Sequence, residues 1–80
     1  MDRETILSSE EYIRTKIKPV KGATVYKREK YYYHIDTFHK GDGAHLEVYN
    51  KRGEHIGEAD IYTGEIIPNT RDKKKKLYLN

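Results

Sequence analysis

The spacing of apolar and polar positions changes character at Gly22. Before it, Tyr12, Ile13 and Ile17 recur at helical intervals. Ser8 or Ser9 can cap that stretch, Glu11 completes a capping-box pattern with Ser8, and Pro19 ends it. Thr5 with Ser8 offers an alternative start. A short N-terminal helix is predicted. After Gly22 the pattern alternates, as a strand requires. Thr24 to Tyr26 reads as a short strand, and Tyr31 to Phe38, rich in aromatic and branched residues, as the strongest one. There Tyr32, His34 and Asp36 share one face, with Tyr31, Tyr33 and Ile35 on the other. Lys40 to Gly43 reads as a loop or hairpin turn.

A strand from Ala44 to Tyr49 then points Leu46 and Val48 one way and His45, Glu47 and Tyr49 the other. Asn50 to Gly53 forms a hairpin turn, Glu54 to Ile61 a further strand, and Thr63-Gly64 turns it into Glu65 to Ile67 before Pro68 stops pairing. Leu77 to Leu79 adds an edge strand or docks on the sheet. The fold class expected is α+β, mostly β: a short N-terminal helix with a highly twisted antiparallel meander. It forms a single domain over residues 1–80, with a helical arm at 1–22, a sheet at 23–68 and a basic tail at 69–80.

Size and composition narrow the functions open to such a domain. A chain of 9.5 kDa has room for one thin core, and 35% hydrophobic against 36% charged residues places it near the limit of foldability. With no cysteine it has no disulfide, thiolate metal site or cysteine nucleophile. No apolar run approaches the ~20 residues that span a bilayer, and the first residues lack the pattern of a signal peptide.

The net charge of +3 conceals a division into blocks. Met1 to Glu11 is acidic, and Tyr12 to Lys30 carries Arg14, Lys16, Lys18, Lys21, Lys27, Arg28 and Lys30 against Glu29 alone. Tyr31 to Pro68 is acidic again, and the tail sets Arg71 and Lys73, Lys74, Lys75 and Lys76 against Asp72. An acidic, histidine-bearing centre between two basic arms suits a protein that holds a polyanion and acts on it with carboxylates and imidazoles. Basic tails also serve simply as solvated arms that keep a domain in solution.

If the two central strands pair, Asp36 and Glu47 lie on one face, and His39 can curl over it. Two carboxylates and an imidazole are the parts needed to cut RNA without metal. A base takes the ribose 2′-OH proton, the alkoxide attacks the adjacent phosphorus, and an acid protonates the leaving 5′-oxygen. The same residues are equally expected on the solvated face of any antiparallel sheet, so spacing alone leaves both readings open.

A resemblance separates them. Tyr32-Tyr33-His34-Ile35-Asp36-Thr37-Phe38-His39, Leu46-Glu47-Val48-Tyr49, Gly53-Glu54-His55-Ile56-Gly57-Glu58-Ala59-Asp60, Thr63-Gly64 and the closing Tyr78-Leu79 together resemble the ribonuclease domain of colicin E3 and its relatives. The likeness runs from about Lys27 to Leu79. It implies a cytotoxic endoribonuclease that cuts small-subunit ribosomal RNA at the decoding site and stops translation. It implies that Glu47 takes the 2′-OH proton, that His39 is the general acid or its electrostatic partner, and that Asp36 orients the histidine or shares the acid role. It implies a C-terminal arginine on the phosphate, for which Arg71 is chosen over Lys73. It also implies an acidic immunity protein as partner, and action in the bacterial cytoplasm after secretion or delivery as part of a larger toxin. The chain departs from the pattern in a longer His39–Leu46 connection, containing Gly41-Asp42-Gly43.

Tyr32 and Tyr49 are the candidates for stacking on RNA bases, and Lys73, Lys74, Lys75 and Lys76 for holding its phosphates. His45 could assist Glu47 but reads as a solvated strand histidine. His55 reads as a hairpin-edge residue, and His34 as a neighbour of Asp36 outside the site. Close-spaced histidine and carboxylate ligands are not apparent, so neither metal nor cofactor is expected. The free domain is expected to be monomeric. The competing expectations are a non-catalytic β module that binds RNA or the ribosome, and a protein-interaction domain for an acidic partner.

Overall fold

In the computed structural model, which describes residues 2–36 and 43–79, six short strands form one antiparallel sheet in sequential order. They are β1 (Ile13–Arg14), β2 (Tyr26–Arg28), β3 (Tyr31–Ile35), β4 (Leu46–Tyr49), β5 (His55–Ala59) and β6 (Ile66–Ile67). The meander expected from alternation is therefore present. The helix is not: among the described residues there are only 3-10 turns, at Asp2–Glu4 and Ile6–Ser8.

Local competition explains that correction. Thr5, rather than Ser8 or Ser9, caps the second turn, its Oγ1 accepting from the Leu7 N–H at 3.1 Å. Ser9 then turns extended. The branched residues Ile13, Thr15 and Ile17 sit better on a sheet edge than in a helix stopped by Pro19. Ile13 and Arg14 pair with Lys27 and Tyr26. Thr15 adds a backbone bond at 3.0 Å and a hydroxyl bond at 2.8 Å, both to the Val25 carbonyl.

Both faces of the sheet are covered. One buries Tyr33 and Ile35 of β3, Leu46 and Val48 of β4 and Ala59 of β5 beneath Leu7 and Tyr12 of the N-terminal segment. Leu46 and Val48 have no exposed surface, so truncating either to alanine removes a contact worth roughly 2–5 kcal/mol for leucine and less for valine. On the other face the C-terminal segment crosses the sheet, and Leu77 packs with Val25 and Tyr49. Its path is tied down at the Asn50–Gly53 turn, where the Leu77 N–H donates to the Gly53 carbonyl at 2.8 Å. Gly53 adopts a φ of +83°, and a Cβ there would collide with the Leu77 carbonyl oxygen. The glycine serves both the turn and the docked tail. Leu77 to Leu79 thus docks rather than adding a strand, with one isolated bridge from Glu54 to Lys76.

Candidate functional site

Register assembles the site on the face beneath the C-terminal segment. Glu47 of β4 stands opposite His34 of β3 and Glu58 of β5. The Asp36 N–H donates to the His45 carbonyl at 3.0 Å and extends the β3–β4 ladder by one rung. This brings the Asp36 and His45 side chains onto the same face as Glu47. A register shift between Val48 and Tyr49 puts His55 opposite Tyr49, close enough to reach Glu47.

Glu47 is 4% exposed, and both its oxygens are engaged. Oε1 accepts from His55 Nε2 at 2.6 Å, and Oε2 accepts from His45 Nε2 at 3.0 Å and Lys75 Nζ at 2.8 Å. Burial alone would push the Glu47 carboxyl up, but these three donors outweigh it and hold the pKa below its ordinary value. The bonds also assign protons on the rings. His55 Nδ1 accepts from the Asp72 N–H at 2.9 Å, so its proton lies on Nε2, facing Glu47. His45 Nδ1 donates to the Gly43 carbonyl at 3.1 Å, while its Nε2 faces Glu47, Asp36 Oδ2 at 3.2 Å and Glu58 Oε2 at 3.4 Å. Burial disfavours charge on His45, but the bonds to Glu47 and Gly43 and the charge of Glu58 prevail and raise its pKa. The Lys75 pKa is likewise raised against burial by Glu47.

Beside this cluster His34 Nδ1 donates to the Ile35 carbonyl at 3.0 Å, and its Nε2 accepts from the Tyr49 hydroxyl at 3.1 Å. Burial lowers the His34 pKa. Burial together with the charges of Glu47 and Asp36 raises that of Tyr49. The Tyr49 ring stacks on His34 at 5.5 Å and meets His55 edge-on at 5.3 Å. No buried side-chain nitrogen or oxygen among the described residues lacks a partner.

The sequence-based candidates therefore divide. Asp36 and Glu47 converge as expected, bridged by His45, and His39 lies outside the described residues. Arg71 does not touch Glu47 directly; it lines a cavity of about 250 Å³ with Glu54, His55, Lys73, Lys75 and Lys76. Lys75 alone of the four tail lysines reaches the carboxylate, and Lys74 is exposed beside it. Tyr49 is buried with both ring neighbours in place, which closes its faces to a base. Tyr32 is half-buried against Val25, Tyr49 and Leu77, with Lys27 Nζ 5.6 Å above its ring.

Two histidines lie in environments that differ from those the sequence predicts. His45 is not solvated but buried among carboxylates, and His55, 2% exposed, is no hairpin-edge residue but a direct partner of Glu47. Alternation had placed His45 on the Glu47 face; nothing local in sequence announces the register shift that brings in His55. Asp36, His45 and Glu47 also each offer a ligand atom within 4.8 Å of the others, a donor cluster that linear spacing did not reveal.

No helix among the described residues is long and apolar enough to cross a membrane. Neither the curated proteins nor the solved structures contain a match to the chain. A family model described as Cytotoxic matches residues 6–77, a span that holds every residue of the Glu47 cluster. The chain belongs to this Cytotoxic family, the toxin domains of the colicin E3 type.

Proposed function

We propose that the domain is an endoribonuclease toxin that cleaves small-subunit ribosomal RNA at the decoding site by metal-independent 2′-OH transphosphorylation. The observation that carries this reading is Glu47, an ionised carboxylate in a nearly closed site adjoining a cavity lined by Arg71, Lys73, Lys75 and Lys76. A buried base next to a largely basic pocket meets the needs of a reaction that removes a proton beside a phosphodiester.

Glu47 takes the 2′-OH proton, the 2′-oxygen bonds to phosphorus, and the bond from phosphorus to the 5′-oxygen breaks. The 5′-oxygen receives its proton from the acid pair of Asp36 and His39, either of which can be the donor, and the upstream fragment keeps a 2′,3′-cyclic phosphate. Arg71 and the tail lysines bind the phosphate and the growing negative charge. As Lys75 turns from Glu47 to the phosphate, Oε2 loses a donor and gains basicity, so substrate binding itself readies the base. Tyr32, half-exposed at the edge of this face, meets a base once Lys27 moves off its ring to a phosphate. In the producing cell an acidic immunity protein covers the basic surface, and the toxin acts in the cytoplasm of the cell it enters.

The closed environment of Glu47, with both oxygens occupied, also favours a second reading: a module that binds RNA or the ribosome without cutting it. Incubating the domain with purified ribosomes in EDTA separates the two. The nuclease reading expects one cut in small-subunit RNA and a 2′,3′-cyclic phosphate on the upstream fragment. Salt-sensitive binding with intact RNA would contradict it and favour the module.

A further inference from the structure

We propose that Asp36, His45 and Glu47 form a binding site for one divalent transition-metal ion of the zinc class. His45 Nε2 lies 3.0 Å from Glu47 Oε2 and 3.2 Å from Asp36 Oδ2, and the donor atoms of the three residues all lie within 4.8 Å of one another. Around a tetrahedral ion with bonds of about 2.0–2.2 Å, donor atoms stand roughly 3.3–3.6 Å apart. The two separations from His45 are thus within a few tenths of an ångström of what one ion requires, and Glu58 Oε2, 3.4 Å from His45 Nε2, adds negative charge beside the site.

The donors are also held in place. His45 and Glu47 flank Leu46 at the start of β4, Asp36 is tied to His45 through the backbone, and Glu58 sits opposite Glu47. His45 donates from Nδ1 to the Gly43 carbonyl, which orients Nε2 toward the three carboxylates. That outer hydrogen bond is the device by which proteins fix a metal-binding imidazole. An imidazole with two carboxylates in a mostly buried setting favours zinc over magnesium, which keeps its waters and prefers oxygen donors in octahedral array.

Lys75 competes for the same place, since its ammonium now rests 2.8 Å from Glu47 Oε2. An ion bound there would displace the ammonium, release the proton on His45 Nε2 to solvent and occupy the lone pair that takes the 2′-OH proton. Zinc would therefore inhibit cleavage, a consequence that rests on the nuclease reading; binding itself does not.

Titration of the full chain with zinc chloride, followed by calorimetry and with magnesium chloride in parallel, tests the site. We expect one zinc ion per chain and affinity at least about tenfold above that for magnesium, with a loss of about tenfold or more in His45→Ala and Asp36→Asn. Lys75→Met should bind zinc more tightly than the wild type, a gain that a misfolded variant could not produce; circular dichroism monitors folding in each case. Absence of zinc binding by the wild type, or affinity unchanged in both His45→Ala and Asp36→Asn, would overturn the proposal. Zinc binding by a protein that never cuts RNA would leave the site standing and refute only the nuclease reading.

Discussion

Lys75 Nζ lies 2.8 Å from Glu47 Oε2, a contact between the basic tail and the centre of the sheet. The tail is therefore part of the site. It supplies a charge partner to a carboxylate that burial would otherwise penalise.

Replacing Lys75 by methionine should cost about 1 kcal/mol of stability, at the low end for a charge-assisted bond because the lysine side chain is 39% exposed. Glu47 should then titrate at higher pH than in the wild type. Urea denaturation gives the first quantity and carboxylate NMR titration the second; an unchanged Glu47 titration would show that the contact does not persist in solution.

Gly53 and Gly22 offer a matched pair. Both have φ near +85°, but a Cβ at Gly22 meets nothing within 4 Å, whereas at Gly53 it strikes the Leu77 carbonyl. Gly22→Ala should cost about 1 kcal/mol from backbone strain alone. Gly53→Ala should cost more, roughly 3 kcal/mol, and loosen the tail. Urea midpoints together with amide exchange at Leu77 measure the difference.

How far the chain revealed its own structure follows from the range of the interactions. The alternation in Leu46-Glu47-Val48-Tyr49 is a local signal strong enough to fix which residues face Leu77, and it proved correct. The segment around Ile13 failed because its outcome depended on a partner at Tyr26 and Lys27, beyond any local pattern. His45 and His55 became site residues for a similar reason. One depends on a ladder rung from Asp36 and the other on a register shift, and both arise only when strands meet.

His34 should make stability depend on pH. Burial lowers its folded pKa below the value of about 6.5 that it has when unfolded. The unfolded chain therefore binds a proton first, and the contribution of neutral His34 is present above about pH 6.5 and lost as the pH falls through and below that value. His45, raised in the folded state, acts in the opposite direction. The informative quantity is thus the wild-type stability minus that of His34→Gln, measured by denaturation at several pH values. It should shrink as the pH falls from about 7.5 to 5; a constant difference would show that His34 is not held neutral by burial.

RNA affinity should fall steeply with salt, and each of Arg71→Ala, Lys73→Ala and Lys76→Ala should lower the slope of log affinity against log salt by about one. Filter binding across a salt series measures it. Slopes equal to wild type would remove these residues from the RNA surface.

The central claim is that Glu47 is the base that starts RNA cleavage. Single-turnover cleavage of ribosomal RNA by Glu47→Gln, at protein concentrations that saturate the ribosome, tests it most directly. The account predicts a rate lower by about 10²–10⁴-fold with ribosome affinity retained. Cleavage by Glu47→Gln at the wild-type rate would contradict it.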